Sequence, residues 1–294
     1  MQIGMCMPYM ELDYSRDTTL DWCRGIEAGP FSSISCGERI TSYSQDMRVV
    51  LAAAAAITKR VRIVPSLYVL PMHSAVWAAK EIATLDVLSG GRVTVTVGIG
   101  GREKDYRAVN ASFARRPQRM EEQVAEMRRI WAGTPPFEGA DPVGPTPVQA
   151  GGPPIWAGVM TPAGIARAAR YADGIYNFAL WAQYPDGVVQ GKRLAEEAWS
   201  KAGRPTPPRQ VTGFWFSLAD DAETKLKNYV FEYVKANDEN GARALANGMI
   251  TSTPDAVRAA LDRFEALGFD ELFLVPATAD VVEVERASEL LAKR

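Results

Sequence analysis

Eight short apolar runs, separated almost from end to end by amphipathic helical stretches, narrow most strongly what this chain can fold into. They lie at 3–7, 32–36, 61–69, 93–97, 155–158, 174–178, 211–217 and 271–275. Such alternation builds a parallel sheet covered by helices, and eight parallel strands is the number that closes a barrel. The expected class is therefore α/β, a (β/α)8 TIM barrel. At 294 residues and 47% apolar composition the chain can bury such a core as one domain spanning 1–294, since barrels of about 250 residues are routinely one domain.

The helices carry their own punctuation. At 254–267, Val257, Leu261, Phe264 and Leu267 fall on one face, with Thr253 to cap, Pro254 for the first turn and Gly268 for the stop. At 116–131, Met120, Val124, Met127 and Trp131 form a buried stripe that ends before Gly133 and Pro135. Residues 134–154, rich in Pro and Gly, read as a long surface connection. Helical insertions are expected in the C-terminal half, at 181–209 and 220–248, with Trp199, Tyr229, Phe231 and Tyr233. They serve as a lid, an oligomer contact or simple padding.

A formal charge of −2 supplies no basic face for phosphates, so nucleic acid is not an expected partner. No apolar run reaches the about 18 residues that cross a bilayer, and Glu11, Asp13 and Asp17 stand where a leader would be basic and then apolar. A cytoplasmic protein without membrane contact is expected. Cys6, Cys23 and Cys36 have no CxxC spacing and read as reduced thiols, and one histidine does not make a zinc or iron site.

In parallel α/β folds, ligands gather at the carboxyl ends of the strands, and four loops there can carry chemistry. Cys36-Gly37-Glu38-Arg39 places a carboxylate and a guanidinium at the mouth, to orient a substrate or to pair as a surface bridge. His73, the only histidine, follows the third strand, and its side chain is the one whose ordinary range lies near neutral pH; it is either structural or an acid and base. Gly98-Ile99-Gly100-Gly101-Arg102 lets the backbone approach a ligand closely, or is just a tight turn. Gly158-Val159-Met160-Thr161-Pro162 opens a helix expected to run through 172, offering free amides to a phosphate, or Thr161 is an ordinary cap. There is no GxSxG elbow, no P-loop and no GxGxxG fingerprint.

Taken together, Leu70-Pro71-Met72-His73, the helix with Ala79-Lys80-Glu81-Ile82-Ala83-Thr84-Leu85-Asp86, Leu88-Ser89-Gly90-Gly91-Arg92 and Val97-Gly98-Ile99-Gly100 resemble the signature of the luciferase-like monooxygenase superfamily. Pro153-Pro154-Ile155-Trp156-Ala157-Gly158, Tyr171-Ala172-Asp173-Gly174, and Thr253-Pro254 with Gly268-Phe269-Asp270-Glu271-Leu272 are similar to its later units, so the likeness runs along nearly the whole chain.

The resemblance implies a luciferase-like barrel that binds coenzyme F420, a deazaflavin, or FMN at its carboxyl rim. Pro65, Ser66 and Leu67 would back the ring system, where many relatives have a bulge with a non-prolyl cis peptide. The glycine loop, with Gly98 and Gly100, would lie beside the cofactor, and Gly158, Val159, Met160 and Thr161 would hold its phosphate. His73, Glu38 and Arg39 are the expected catalytic group, and a metal is not expected. Two departures stand out: relatives often have an acid and a histidine where this chain has Glu38-Arg39, and Arg-His-Pro or His-His-Pro where it has His73-Ser74-Ala75. The implied activity is hydride transfer between F420 and a small organic substrate. The alternatives are an FMN-dependent two-component monooxygenase with a separate reductase, and a non-catalytic flavin-binding homologue. A homodimer follows from the family alone. A lyase would want a rim lysine or a metal cluster. Tyr9, Tyr68, Trp181, Phe214 and Trp215 are the expected substrate wall.

Overall fold

The computed structural model describes residues 1–11, 14–235 and 238–294; Asp13, one of the acids counted above, lies outside them. In chain order the elements are β1 (Gln2–Cys6), α1 (Arg16–Ala28), β2 (Ser33–Cys36), α2 (Met47–Ile57), β3 (Arg62–Tyr68), α3 (Ala75–Ser89) and β4 (Val95–Val97). There follow α4 (Glu103–Ala108), α5 (Arg116–Trp131), β5 (Ile155–Gly158), α6 (Pro162–Ala168), β6 (Gly174–Tyr176), α7 (Asp186–Lys201) and β7 (Arg209–Phe216). The chain closes with α8 (Ala222–Val234), α9 (Glu239–Asn247), α10 (Pro254–Ala266), β8 (Glu271–Pro276) and α11 (Val282–Ala292).

The eight strands pair in order, all parallel, and β8 returns to β1 to close the barrel. All eight expected strands are present, most with ends displaced by a residue or two. The helix after β5 stops at Ala168, short of the expected 172. No helix among the described residues is long and apolar enough to cross a membrane.

Local chemistry explains the helix ends. Thr253 Oγ1 accepts from the Ala256 amide at 3.2 Å, Pro254 opens α10, and Gly268 takes φ +73° to end it. In α5 the expected stripe is buried, and Trp131 Nε1 donates to Ala79 O at 3.0 Å, locking α5 onto α3.

The two segments most typical of the resemblance serve the frame. After α3, Gly90 adopts φ +69°, and the Arg92 guanidinium donates to Ser89 O, Val61 O, Ala55 O, Thr58 O and Thr58 Oγ1, gathering carbonyls between the end of α2 and the start of β3. Asp173, just before β6, accepts from the Ile155 amide at 2.9 Å and meets Arg128 and Arg204.

The barrel interior is layered. At the amino end Glu271, fully buried, pairs with Arg62 and, at 3.3 Å, with Arg209, and accepts from Ser32 and Ser33. These are the first residues of β8, β3 and β7, with Ser33 opening β2. Above them Val64, Trp156, Val211 and Phe273 fill the middle, and Arg62 and Arg209 lie 5.5 and 5.9 Å from the Trp156 ring. This packed floor and middle fill the barrel below its carboxyl rim.

Candidate active site

At that rim lies a cavity of about 360 Å³, within the usual range for small-molecule sites. Its back is β3. The pairing of β3 with β4 shifts register between Ser66 and Tyr68, and the Ser66–Leu67 peptide is cis, at the position the resemblance implied. A bulge of this kind reverses the in-and-out alternation of a strand. Ser66 and Leu67 therefore both face the cavity, while Tyr68 turns outward and donates to Glu81 Oε2 at 2.7 Å.

Leu67 is seated between two bare backbones. A Cβ at Gly158 would overlap Leu67 Cδ2, and one at Gly98 would come within 2.7 Å of Leu67 Cδ1. Gly100 adopts φ +57° and lines the cavity together with Gly101. The demand for glycine is thus set at Gly98 and Gly158 by close approach of a side chain, and at Gly100 by the turn.

The chemistry of the wall centres on Glu38. Its Oε1 lies 2.7 Å from His73 Nε2 and its Oε2 accepts the Val69 amide at 2.7 Å. The carboxylate lines the cavity; the imidazole stands behind it, with its ring edge-on to Tyr68 at 4.8 Å between centroids. Gln123 Nε2 donates to His73 O at 2.6 Å and fixes the backbone there. Arg39 does not pair with its neighbour Glu38. Its guanidinium lies 4.5 Å from the centre of the Tyr233 ring and donates to Tyr233 O at 3.3 Å.

Opposite stand aromatic side chains. Tyr9 OH donates to Tyr233 OH at 3.1 Å, and Trp215 packs edge-on against Phe178 at 4.5 Å and Tyr233 at 5.6 Å. Burial pushes the Tyr9 and Tyr176 phenols well above the usual range, so they stay protonated. The loop after β2 is tied across the mouth: Asp105 of α4 accepts from the Thr41 amide at 3.0 Å and from its hydroxyl, and faces Arg102 at 3.4 Å.

The expected site residues divide accordingly. Glu38, Arg39, Ser66, Leu67, Gly100, Gly158, Val159 and Met160 line the cavity; His73, Pro65, Gly98 and Thr161 do not. The Val159 amide is committed to Tyr176 O at 3.1 Å, and Thr161 caps α6 by accepting from Gly164 N at 3.2 Å. Of the expected substrate wall, Tyr9 and Trp215 are present. Phe214 faces outward onto Phe264, Trp181 lies against Gly248, and Tyr68 is turned away by the bulge. Tyr176, Phe178, Tyr233 and Asp105 were not anticipated as wall residues. Tyr233 arrives on α8, a helical insertion, which here covers the site.

An uncharacterised protein of Mycobacterium tuberculosis is 31% identical over 175 residues, which cover 56% of this chain and 60% of that relative. The chain thus spans less than two thirds of that relative's length. The solved structure of the monooxygenase RslO1 from Streptomyces bottropensis superposes with a TM-score of 0.78 at 24% identity, covering 100% of this chain and 98% of its own. An F420-dependent secondary alcohol dehydrogenase, solved with an F420–acetone adduct, gives 0.76 at 21% identity, with 98% and 97% covered. At these identities the two structures share a fold with this chain. The family model for luciferase-like monooxygenases matches residues 1–283, nearly all of the barrel, and the chain belongs to that family.

Proposed function

We propose that this chain is a cytoplasmic oxidoreductase that binds coenzyme F420 in the rim cavity and exchanges hydride with a small organic substrate held against the aromatic wall. One observation carries the reading: a carboxylate, Glu38, placed in a largely apolar cavity and clamped by His73 and the Val69 amide. Interconverting an alcohol and a carbonyl moves a proton at the substrate oxygen, so such a site needs a held proton acceptor and donor at its wall.

The residues present fit a flat ring system. Ser66 and Leu67 form a back with no charge, and Gly100 and Gly101 present backbone without side chains. The Met160 and Thr161 amides, which have no partner among the described residues, would hold an acidic tail. When bound, the coenzyme supplies the hydride chemistry. Glu38 takes or returns the proton at the substrate oxygen, and His73 Nε2 holds Oε1 in place. Tyr9, Phe178, Trp215 and Tyr233 exclude water, and Tyr9, kept protonated by burial, gives its hydroxyl hydrogen to Tyr233 OH.

The likeness to RslO1 favours a second reading, in which the cavity takes FMN reduced by a separate enzyme and the substrate is oxygenated. Fluorescence titration of the purified chain with F420 and with FMN separates the two. Micromolar or tighter binding selective for F420 is expected; selective FMN binding supports the second reading, and binding of neither overturns both.

A further inference from the structure

Two arginines line the cavity, and only one has its charge met. Arg102 faces Asp105 at 3.4 Å, whereas Arg39 meets no carboxylate among the described residues. Its sequence neighbour Glu38 is turned to His73 and the Val69 amide, and both carboxylate oxygens are thereby engaged. A guanidinium has five N–H donors; among the described residues Arg39 spends one, on Tyr233 O at 3.3 Å. None of its nitrogens is both sealed from solvent and without a partner, and the side chain lines the cavity. The Tyr233 ring, 4.5 Å away, steadies the head and leaves its charge intact.

We infer that Arg39 anchors an anionic group of the substrate, which makes the substrate class an aromatic or otherwise apolar organic acid. This rests on the cavity being the substrate site proposed above. The planar fork of arginine suits a carboxylate in two-point contact, and a charge-assisted pair in so apolar a setting is strong. Trp215, Phe178 and Tyr233 then take the hydrophobic body of the same molecule. A purely structural duty at the C-terminal turn of α8 accounts for the single bond to Tyr233 O. It does not account for a cation that lines an aromatic cavity and meets no carboxylate among the described residues.

The test is calorimetric titration of the full chain with trans-cinnamate and with its neutral, equally shaped amide, with and without saturating F420. Wild type is expected to prefer the acid by about tenfold or more, the worth of one charged hydrogen-bonded pair. Arg39→Met is expected to bring the ratio to about one and Arg39→Lys to keep part of it, both with melting temperatures near wild type and F420 affinity unchanged. A ratio near one in wild type, or a ratio kept in Arg39→Met, overturns the assignment. So does loss of F420 affinity in Arg39→Met with the ratio intact, which would move Arg39 to the coenzyme. If neither F420 nor FMN binds while the acid preference and its loss persist, the coenzyme reading fails and the anchor stands.

Discussion

His73 Nε2 stands 2.7 Å behind Glu38 Oε1, on the side of the carboxylate away from the cavity. The only imidazole of the chain therefore meets the cavity through the carboxylate in front of it.

Glu38→Gln should lower kcat by about a hundredfold or more, the usual worth of a placed acid or base, with coenzyme affinity retained. His73→Gln should cost less and move the pH profile of kcat, because it changes how the carboxylate is held. Equal losses with unmoved profiles would show that the two do not act in this order.

The seat of Leu67 gives a packing test. Gly158→Ala should destabilise the fold by about 1–3 kcal/mol, as overpacking does, and weaken coenzyme binding. Adding Leu67→Ala should restore part of both, since it removes the atoms that the new Cβ meets. Denaturant midpoints and coenzyme titrations on the two single variants and the double variant would read the coupling; strict additivity would dissociate Gly158 from Leu67.

Glu271 is the fully buried anion of the barrel floor. Glu271→Gln leaves Arg62 and Arg209 facing a neutral group and should cost about 3 kcal/mol, the scale of breaking a buried pair from one side. Urea unfolding measures it, and a change below 1 kcal/mol would mean that solvent already satisfies the two arginines.

Burial pushes the Cys6 and Cys23 thiols up to about 12. The native thiols keep their protons where the unfolded ones, near 9.0, give them up. Their contribution is fully present below that value and is lost as pH rises towards 12, at most about 1.4 kcal/mol per pH unit for each thiol. Cys23→Ala should therefore lose stability less steeply than wild type between pH 8 and 10.5. Parallel denaturation curves would remove the thiol from the account.

The barrel was legible because its evidence is local. The period of α10, its Thr253 and Gly268 ends, and the apolar strand runs all declare themselves within a dozen residues. The site was legible only in part because it depends on relations between distant positions. Glu38 finds His73 across 35 residues, and nothing near either names the other. Alternation along β3 would send Leu67 outward and Tyr68 inward, and the register shift reverses both. On β7 the same alternation puts Trp215 at the cavity and Phe214 against Phe264, a parity that the apolar run itself does not fix. Tyr233 was noted as an aromatic of an insertion; its approach to Arg39 depends on how α8 folds back over the mouth.

The two ends of this barrel are held by different means. Strand-opening residues knit one end with charge, while the strand ends, loops and α8 at the other end supply the lining of the cavity. A lineage can therefore exchange its rim residues, and with them what it works on, without reopening whether the cylinder closes at all.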